Sequence, residues 1–290
     1  MEDGLCLLTV HAHPDDEASK GAGTVARYHR QGVRTVLVCC TGGEEGEILN
    51  PAMDRPEVRE RLAEVRLEEL RRSADVIGFD EVVLLGYRDS GMPDSPANLD
   101  PRSFAAADFN EVVGRLVEVI RRERPQVVIT YPDEQRFYPH PDHLQVHAAS
   151  VAAFDAAGDP DAHPEAGEPW MPAKLYYSVW SRARIEALHH AFLELELESP
   201  YDERWFHERP SQDHLITTRI DVADLWDVRQ QALLAHTTQI APDSPFWFGL
   251  PPEVARTIHP YEEYVRARSL VDAPLPEDDL FAGLRPRVPG

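Results

Sequence analysis

Four short apolar runs constrain the fold of this chain more than any other feature. LCLLTV (5–10), TVLVCCT (35–41), EVVLLGY (81–87) and QVVITY (126–131) recur through the first 160 residues. Between them, at about 16–30, 57–77 and 106–123, apolar residues return every three or four positions. The runs are almost continuously hydrophobic, as strands buried on both faces are, and the intervening period is that of an amphipathic helix. Gly32, Gly78 and Pro125 punctuate the helix ends. Strand–helix–strand repetition of this kind predicts an α/β fold, a Rossmann-like, mostly parallel sheet with helices on both faces, and these four strands at its centre.

Beyond residue 158 the pattern loosens. Residues from about 159 to 172 are rich in Pro, Gly and acid and read as a long loop. KLYYSVW (174–180) is a further strand, followed by a helix near 181–197, a strand at ITTRID (216–221) and a helix over ADLWDVRQQALLAH (223–236). The last fifty residues carry many prolines and little periodicity, so they are expected to wrap the domain or cap its active-site edge. Residues 1–160 thus form a Rossmann-like core, and residues 161–290 a C-terminal part that completes the sheet and caps the site, within one continuous domain.

With 290 residues, 42% of them hydrophobic, the chain can bury a large core. A formal charge of −22 leaves no basic footprint for nucleic acid. No 18-residue apolar stretch exists to span a membrane, and MEDGLCLLTV lacks the basic flank and cleavage site of a signal peptide, so a cytoplasmic location is expected. Cys6, Cys39 and Cys40, odd in number and set in apolar runs, read as reduced core residues. Nearly all positive charge is Arg; Lys20 and Lys174 are the only lysines.

Directly after the first apolar run, HAHPDDEAS (11–19) packs His11, His13, Asp15, Asp16 and Glu17 into seven positions. In open α/β sheets ligands bind outside the carboxyl ends of the strands. HAHPDDE stands at the carboxyl end of the first strand, TGGEEGE (41–47) follows the second, RDSGM (88–92) the third and YPHPDHLQVH (138–147) the fourth, so the polar motifs fall on one rim. Adjacent carboxylates repel unless a cation or donors compensate, and His with carboxylate is a donor set for zinc. His13 and Asp16 are three apart, and a second His-x2-His, His140 to His143, opens another helix on the same rim. Two ligands from one loop and one from the other give a three-ligand site with an open, catalytic position. A structural explanation is also available: Asp15, Asp16 and Glu17 suit a helix N-terminus, and Asp142 a cap. His147, four after His143, stands at ligand spacing too, and His11 suits a hydrogen-bonded core position. TGGEEGE lacks a P-loop lysine and carries three glutamates, GAGTV (21–25) lies inside a helix, and no G-x-S-x-G exists, so metal-assisted hydrolysis is what remains.

HPDDE (13–17), HPDH (140–143), RDSGM and GGEEGE together resemble the PIG-L/LmbE-like family of zinc-dependent N-deacetylases and amidases. SKGAGTVARY (19–28), GEILNPAMD (46–54), KLYY (174–177), AHTTQI (235–240) and DDLFAGL (278–284) look more like its mycothiol S-conjugate amidase branch than its deacetylase branch. The resemblance implies zinc held by His13, Asp16 and His143, with Asp15 as general base. It makes His140 the group that polarises the carbonyl or protonates the leaving amine, tuned by Asp142, with Tyr138 on the oxyanion. Arg66 and Asp89 match positions at the sugar or inositol end; Lys20 and Glu47 match amidase positions near the substrate. One departure stands out: Arg136 and Phe137 replace the two glycines common before the tyrosine, which would reshape the pocket wall.

The expected activity is therefore that of a zinc amidase. It would act on a small-molecule thiol conjugate, cleaving the amide of S-conjugated mycothiol with Phe246, Trp247 and Phe248 as candidate cover for the S-linked group. Deacetylation of N-acetylglucosaminyl-inositol is the alternative within the fold, and a non-catalytic metal-binding protein the alternative outside it; intact Asp15 and His140 argue against the latter. Two His and one carboxylate suit Fe2+ as well as Zn2+.

Overall fold

In a computed structural model, described for residues 4–133, 138–201, 204–207 and 211–285, the apolar runs form β1 (Cys6–His11), β2 (Arg34–Thr41), β3 (Glu81–Tyr87), β4 (Val127–Thr130) and β5 (Lys174–Val179). β6 (Thr218–Asp221) and β7 (Tyr261–Ser269) complete a seven-stranded sheet ordered β3-β2-β1-β4-β5-β7-β6. The first five strands pair in parallel, and β7 runs antiparallel to both β5 and β6. From β1 the chain moves outward through β2 and β3, then returns to β4 on the other side of β1. The carboxyl ends of β1 and β4 therefore flank the switch-point crevice where ligands bind in such sheets.

The helices of the amino-terminal half are α1 (Asp16–Ser19), α2 (Ala22–Arg30), α3 (Pro56–Arg59), α4 (Leu62–Ile77), α5 (Phe109–Glu123) and α6 (Pro141–Ala156). Later come α7 (Arg182–Glu194), α8 (Arg204–His207), α9 (Trp226–Ala235), α10 (Pro245–Phe248) and α11 (Pro252–Ile258). Alternating side chains of the central strands fill a core on each face. Leu8 and Val10 pack with Leu116 and Ile120 of α5 and with Val146 and Ala153 of α6. Leu7 and Ile129 meet Val25 and Tyr28 of α2 and Leu233 of α9, while Leu37 and Cys39 meet Leu70 and Ala74 of α4. The three cysteines are free and buried, as expected. Among the described residues no helix is long and apolar enough to cross a membrane.

Four elements differ from the sequence reading. The helix expected over 57–77 breaks at residues 60–61, between α3 and α4. β3 lies at the sheet edge rather than its centre, with Leu84 36% exposed; hydrophobicity of a run does not distinguish one hydrogen-bonded neighbour from two. The helix expected over 16–30 is two helices, because Gly21 adopts φ +116° between α1 and α2, a left-handed conformation that glycine tolerates. In the last fifty residues, YEEYVRARS forms a nine-residue strand, β7, in place of an irregular wrap. Four charges disguise it, and two of them are buried for specific partners. Glu262 accepts from the Gly23 and Thr24 N–H groups (3.1 and 2.7 Å) at the start of α2, and Glu263 pairs with Arg219 at 2.9 Å.

Two buried cations tie the later chain to the sheet. Arg121 on α5 donates to the carbonyls of Ala157, Asp159, Ala162 and His163 at 2.7–3.0 Å, ordering much of the acidic loop. Lys174 on β5 is fully buried, 2.6 Å from Glu277, which also accepts from Arg266 (2.9 Å) and the Tyr176 hydroxyl (2.7 Å). Removing one partner of such a cluster strands the other charge in the interior. Glu277→Ala is thus expected to destabilise the protein by about 3–5 kcal/mol. Urea unfolding would show this as a lower midpoint with little change in slope; an unchanged midpoint would contradict it.

Candidate metal-dependent active site

The turn after β1 holds its charges in a strained backbone. Asp15 has φ +118° as the residue before α1, a conformation that a non-glycine residue keeps only when its surroundings enforce it. Here they do. The Asp15 N–H donates to Glu17 Oε2 at 2.9 Å, and Glu17 Oε1 lies 2.5 Å from both the Ser73 hydroxyl on α4 and His236 Nε2 just after α9. From α4, the buried Arg66 guanidinium reaches the Asp15 carboxylate at 2.9 Å and the carbonyls of Pro14 and Gly43, each at 2.6 Å. A Cβ at Gly43 would collide with that guanidinium, so the glycine of TGGEEGE makes room for it. The Glu17–Ser73–His236 bracing is not legible in sequence spacing; AHTTQI was the only trace, and it carried a resemblance, not a role.

Asp16 Oδ2 is the hub of the cluster. It lies 3.5 Å from His13 Nδ1 and 3.4 Å from His143 Nε2. It also accepts from the Tyr131 hydroxyl (2.7 Å), while Oδ1 pairs with the Lys20 ammonium. Tyr131 is a site residue that sequence reasoning missed, since it looks like the end of an apolar strand; its ring stacks on His143 at 4.4 Å and its hydroxyl accepts from the Ala12 N–H. His140 caps α6 through Nδ1, which accepts from the Asp142 N–H at 3.2 Å, and Pro141 opens the helix. His143 follows one turn on. The far nitrogen of His13 meets Asp142 Oδ2 at 3.2 Å and Asp89 Oδ1 at 3.5 Å.

These acids and imidazoles are almost wholly buried, so their protonation states are coupled to one another. Burial alone would lower His13, but hydrogen bonds to Asp142, Asp16 and Asp89 outweigh it and raise its pKa well above the usual histidine value. His143 goes the other way, lowered by burial to about 4, which favours its neutral form. Burial raises Asp15, opposed by Arg66, and burial together with the His13 charge lowers His140.

The donor set fits a divalent cation. His13, Asp16 and His143 bring ligand atoms within 4.8 Å of one another. The 3.4–3.5 Å edges about Asp16 Oδ2 match the ~3.3–3.6 Å ligand–ligand separation that bonds of about 2.0–2.2 Å impose in a tetrahedron. His143 Nε2 is buried without a hydrogen-bond partner, a costly arrangement that a metal ion would relieve. A second grouping of His13, Asp89, His140 and Asp142 abuts it.

The remaining candidates are distributed around this centre. Tyr138 is 50% exposed at the mouth, its ring 5.1 Å from His143 and 5.8 Å from His140. Asp142 is turned toward His13 and Ser90, its carboxylate 4.0 Å from His140 Nδ1. Asp89 is buried inside the cluster, 3.8 Å from His140 Nε2, and Arg66 is buried beneath Asp15; Glu47 is exposed on the loop after β2. His147 lies outside both groupings, with Nδ1 2.9 Å from the Tyr131 carbonyl and its ring against Tyr177. His11 is a core residue, as expected, and its Nδ1 has no hydrogen-bond partner. A cleft of about 710 Å³ opens onto Asp15, Asp16 and His143, walled by Trp180, Phe246 and Trp247. Phe248 packs instead against the core beside α2 and α9. Arg136 and Phe137 lie outside the described residues.

With this geometry in hand, comparison with known proteins is informative. Residues 8–154 match the family described as PIG-L: GlcNAc-PI de-N-acetylase. The chain is 45% identical to mycothiol S-conjugate amidase of Streptomyces coelicolor, over 98% of this chain and 99% of that one. It is 40% identical to 1D-myo-inositol 2-acetamido-2-deoxy-alpha-D-glucopyranoside deacetylase 1 of Frankia alni, over 96% of this chain and all of that one. In fold it is similar to N,N'-diacetylchitobiose deacetylase from Pyrococcus horikoshii, with a TM-score of 0.63 at 19% identity over 92% of this chain and 85% of that chain. The chain belongs to the PIG-L family and is a hydrolase of the amidase and deacetylase class.

Proposed function

We propose that the protein is a zinc-dependent amidase of S-conjugated mycothiol, cleaving the amide between the cysteinyl conjugate and glucosaminyl-inositol and releasing an N-acetylcysteine S-conjugate. The observation that carries this reading over deacetylation is the size and lining of the cleft. An acetyl group does not need about 710 Å³ beside three aromatic rings, whereas a bulky S-linked acyl group gains apolar contact there. The 45% identity with an amidase over nearly the whole chain supports the same choice.

His13, Asp16 and His143 hold the metal. A bound zinc ion supplies Lewis acidity, acidifying water toward a pKa of about 7 and polarising an amide carbonyl. Asp15, whose carboxylate is oriented by Arg66 before substrate arrives, takes the proton from the attacking water. His140 delivers a proton to the nitrogen, because an amine leaves an amide only when protonated. Tyr138 donates to the oxyanion that develops on the carbonyl carbon's oxygen. Lys20 offsets the charge of Asp16 and, with Glu47, meets the polar part of the substrate. Arg66 and Asp89 act from beneath as positioning residues, and Asp142 orients the histidines.

Asp15→Asn is expected to lower turnover about 10²–10⁴-fold while elemental analysis still finds zinc near one equivalent; retained turnover would remove Asp15 as the base. Conversely, His143→Ala is expected to lose both metal and activity, and a fully metallated His143→Ala protein would refute the ligand set. Substrate class is tested by incubating the zinc-loaded enzyme with mycothiol-bimane and N-acetylglucosaminyl-inositol side by side. Release of N-acetylcysteine-bimane, identified by mass, in preference to acetate is the expected result. Preference for the acetylated sugar would instead make the protein a deacetylase, the reading that the 40%-identical relative favours.

A further inference from the structure

Behind the aromatic wall of the cleft lies a second cavity of about 80 Å³, bounded by α7, α9, α10 and the segment leading into β7. Trp180, Phe246 and Trp247 line both spaces. Two guanidinium groups face the smaller one, Arg184 from α7 and Arg229 from α9. Among the described residues neither has an ion pair or a side-chain hydrogen bond, and Arg229 Nε is buried without a partner. Each instead lies over a ring: Arg184 is 4.5 Å from the Trp180 centroid and Arg229 is 5.6 Å from that of Trp247.

Both side chains are partly buried, so their charges carry a desolvation cost. Burial depresses both arginines, and Arg229, further repelled by Arg184, falls to about 9. Cation–π contact offsets only part of this cost. Glu262, the carboxylate that lines the same cavity, already accepts from the Gly23 and Thr24 N–H groups. Arg256 is committed to Asp227 at 3.3 Å and His259 to Glu263 at 3.2 Å. Two like charges therefore share a small aromatic chamber with no carboxylate bonded to either.

We propose that this cavity binds a short aliphatic carboxylate, its anionic head between Arg184 and Arg229 and its alkyl end against the surrounding rings. Size and lining select the class. The space is roughly half the ~150 Å³ of an apolar cavity that takes benzene, which excludes aromatic acids. Inorganic phosphate would also pair with the two guanidinium groups, but it has no alkyl end to lie against the surrounding rings. The site is separate from the metal ligands, so the inference does not rest on the amidase reading.

The test is a titration of the whole protein with propionate and, in parallel, with inorganic phosphate at constant ionic strength. It is read by calorimetry and by the fluorescence of the lining tryptophans. Saturable propionate binding is expected, weakened at least about tenfold by Arg229→Met or Arg184→Met and partly restored by Arg229→Lys. Ligand-free Arg229→Met should melt no lower than the unaltered chain, since it removes a partly buried charge to which no carboxylate is bonded. Because carboxylates also ligate metals, binding must persist in His143→Ala. No saturable propionate binding by the unaltered chain, preference for phosphate, undiminished binding by both folded Met variants, or loss of binding in His143→Ala would each overturn the proposal.

Discussion

Everything at the candidate active site depends on keeping the carboxylates of HPDDE inside the protein. Three adjacent acids at the end of a buried strand would repel one another and seek water, unless cations and donors meet each one. Arg66 takes Asp15, Lys20 and Tyr131 take Asp16, and Ser73 and His236 take Glu17. These partners come from α4, from α1's own carboxyl end, from the end of β4 and from the end of α9. The turn is therefore stable only in the assembled fold, which also explains how Asp15 tolerates a left-handed backbone. The strain and the charge are compensated by the same contacts.

That arrangement gives Asp16 a double task. One oxygen is occupied by an ammonium, and the other is left to face two imidazoles and a phenol at hydrogen-bond or near-ligand distance. His13 and His143 would hold a divalent ion there together with Asp16, and the otherwise unpartnered Nε2 of His143 would gain a partner. The candidate ligands sit at element ends, and Tyr131 and Asp142, the latter held by Ser90, contact them. Chemistry and recognition are also divided along the chain. The groups proposed to act on the amide all precede residue 148, whereas the walls of the cleft come mostly from Ser178 onward. Variation in the cleft walls of the later half, apart from His236 that braces Glu17, can thus alter what is cleaved without disturbing how.

The alternation of periods makes the parallel sheet legible, and the rim rule brings HAHPDDE and HPDH to one place from sequence alone. Their convergence is visible in the structure as the His13–Asp16–His143 grouping. What escaped was each feature whose meaning lies in a distant partner. β7 was hidden because Glu262 and Glu263 look like solvent-facing charges until the start of α2 and Arg219 are seen opposite them. Tyr131 looked like core, and Arg66, matched to a sugar contact, turned out to be buried under Asp15. Gly21 split a helix that periodicity alone would have continued.

Local patterning by itself determined the fold class, the rim on which polar motifs gather, the reduced state of the cysteines and the residue types able to bind a metal. These follow from short-range rules, since side-chain period, strand polarity and donor chemistry are properties of a few consecutive residues. Only the tertiary structure decided which acid pairs with which cation, which histidine pKa is raised and which lowered, where the cleft lies and that Arg184 and Arg229 share a cavity. Burial and charge pairing are set by neighbours far apart in sequence, His236 and Glu17 being 219 residues apart. At such separations spacing carries no information, and the desolvation that governs these energies exists only once the layers have packed.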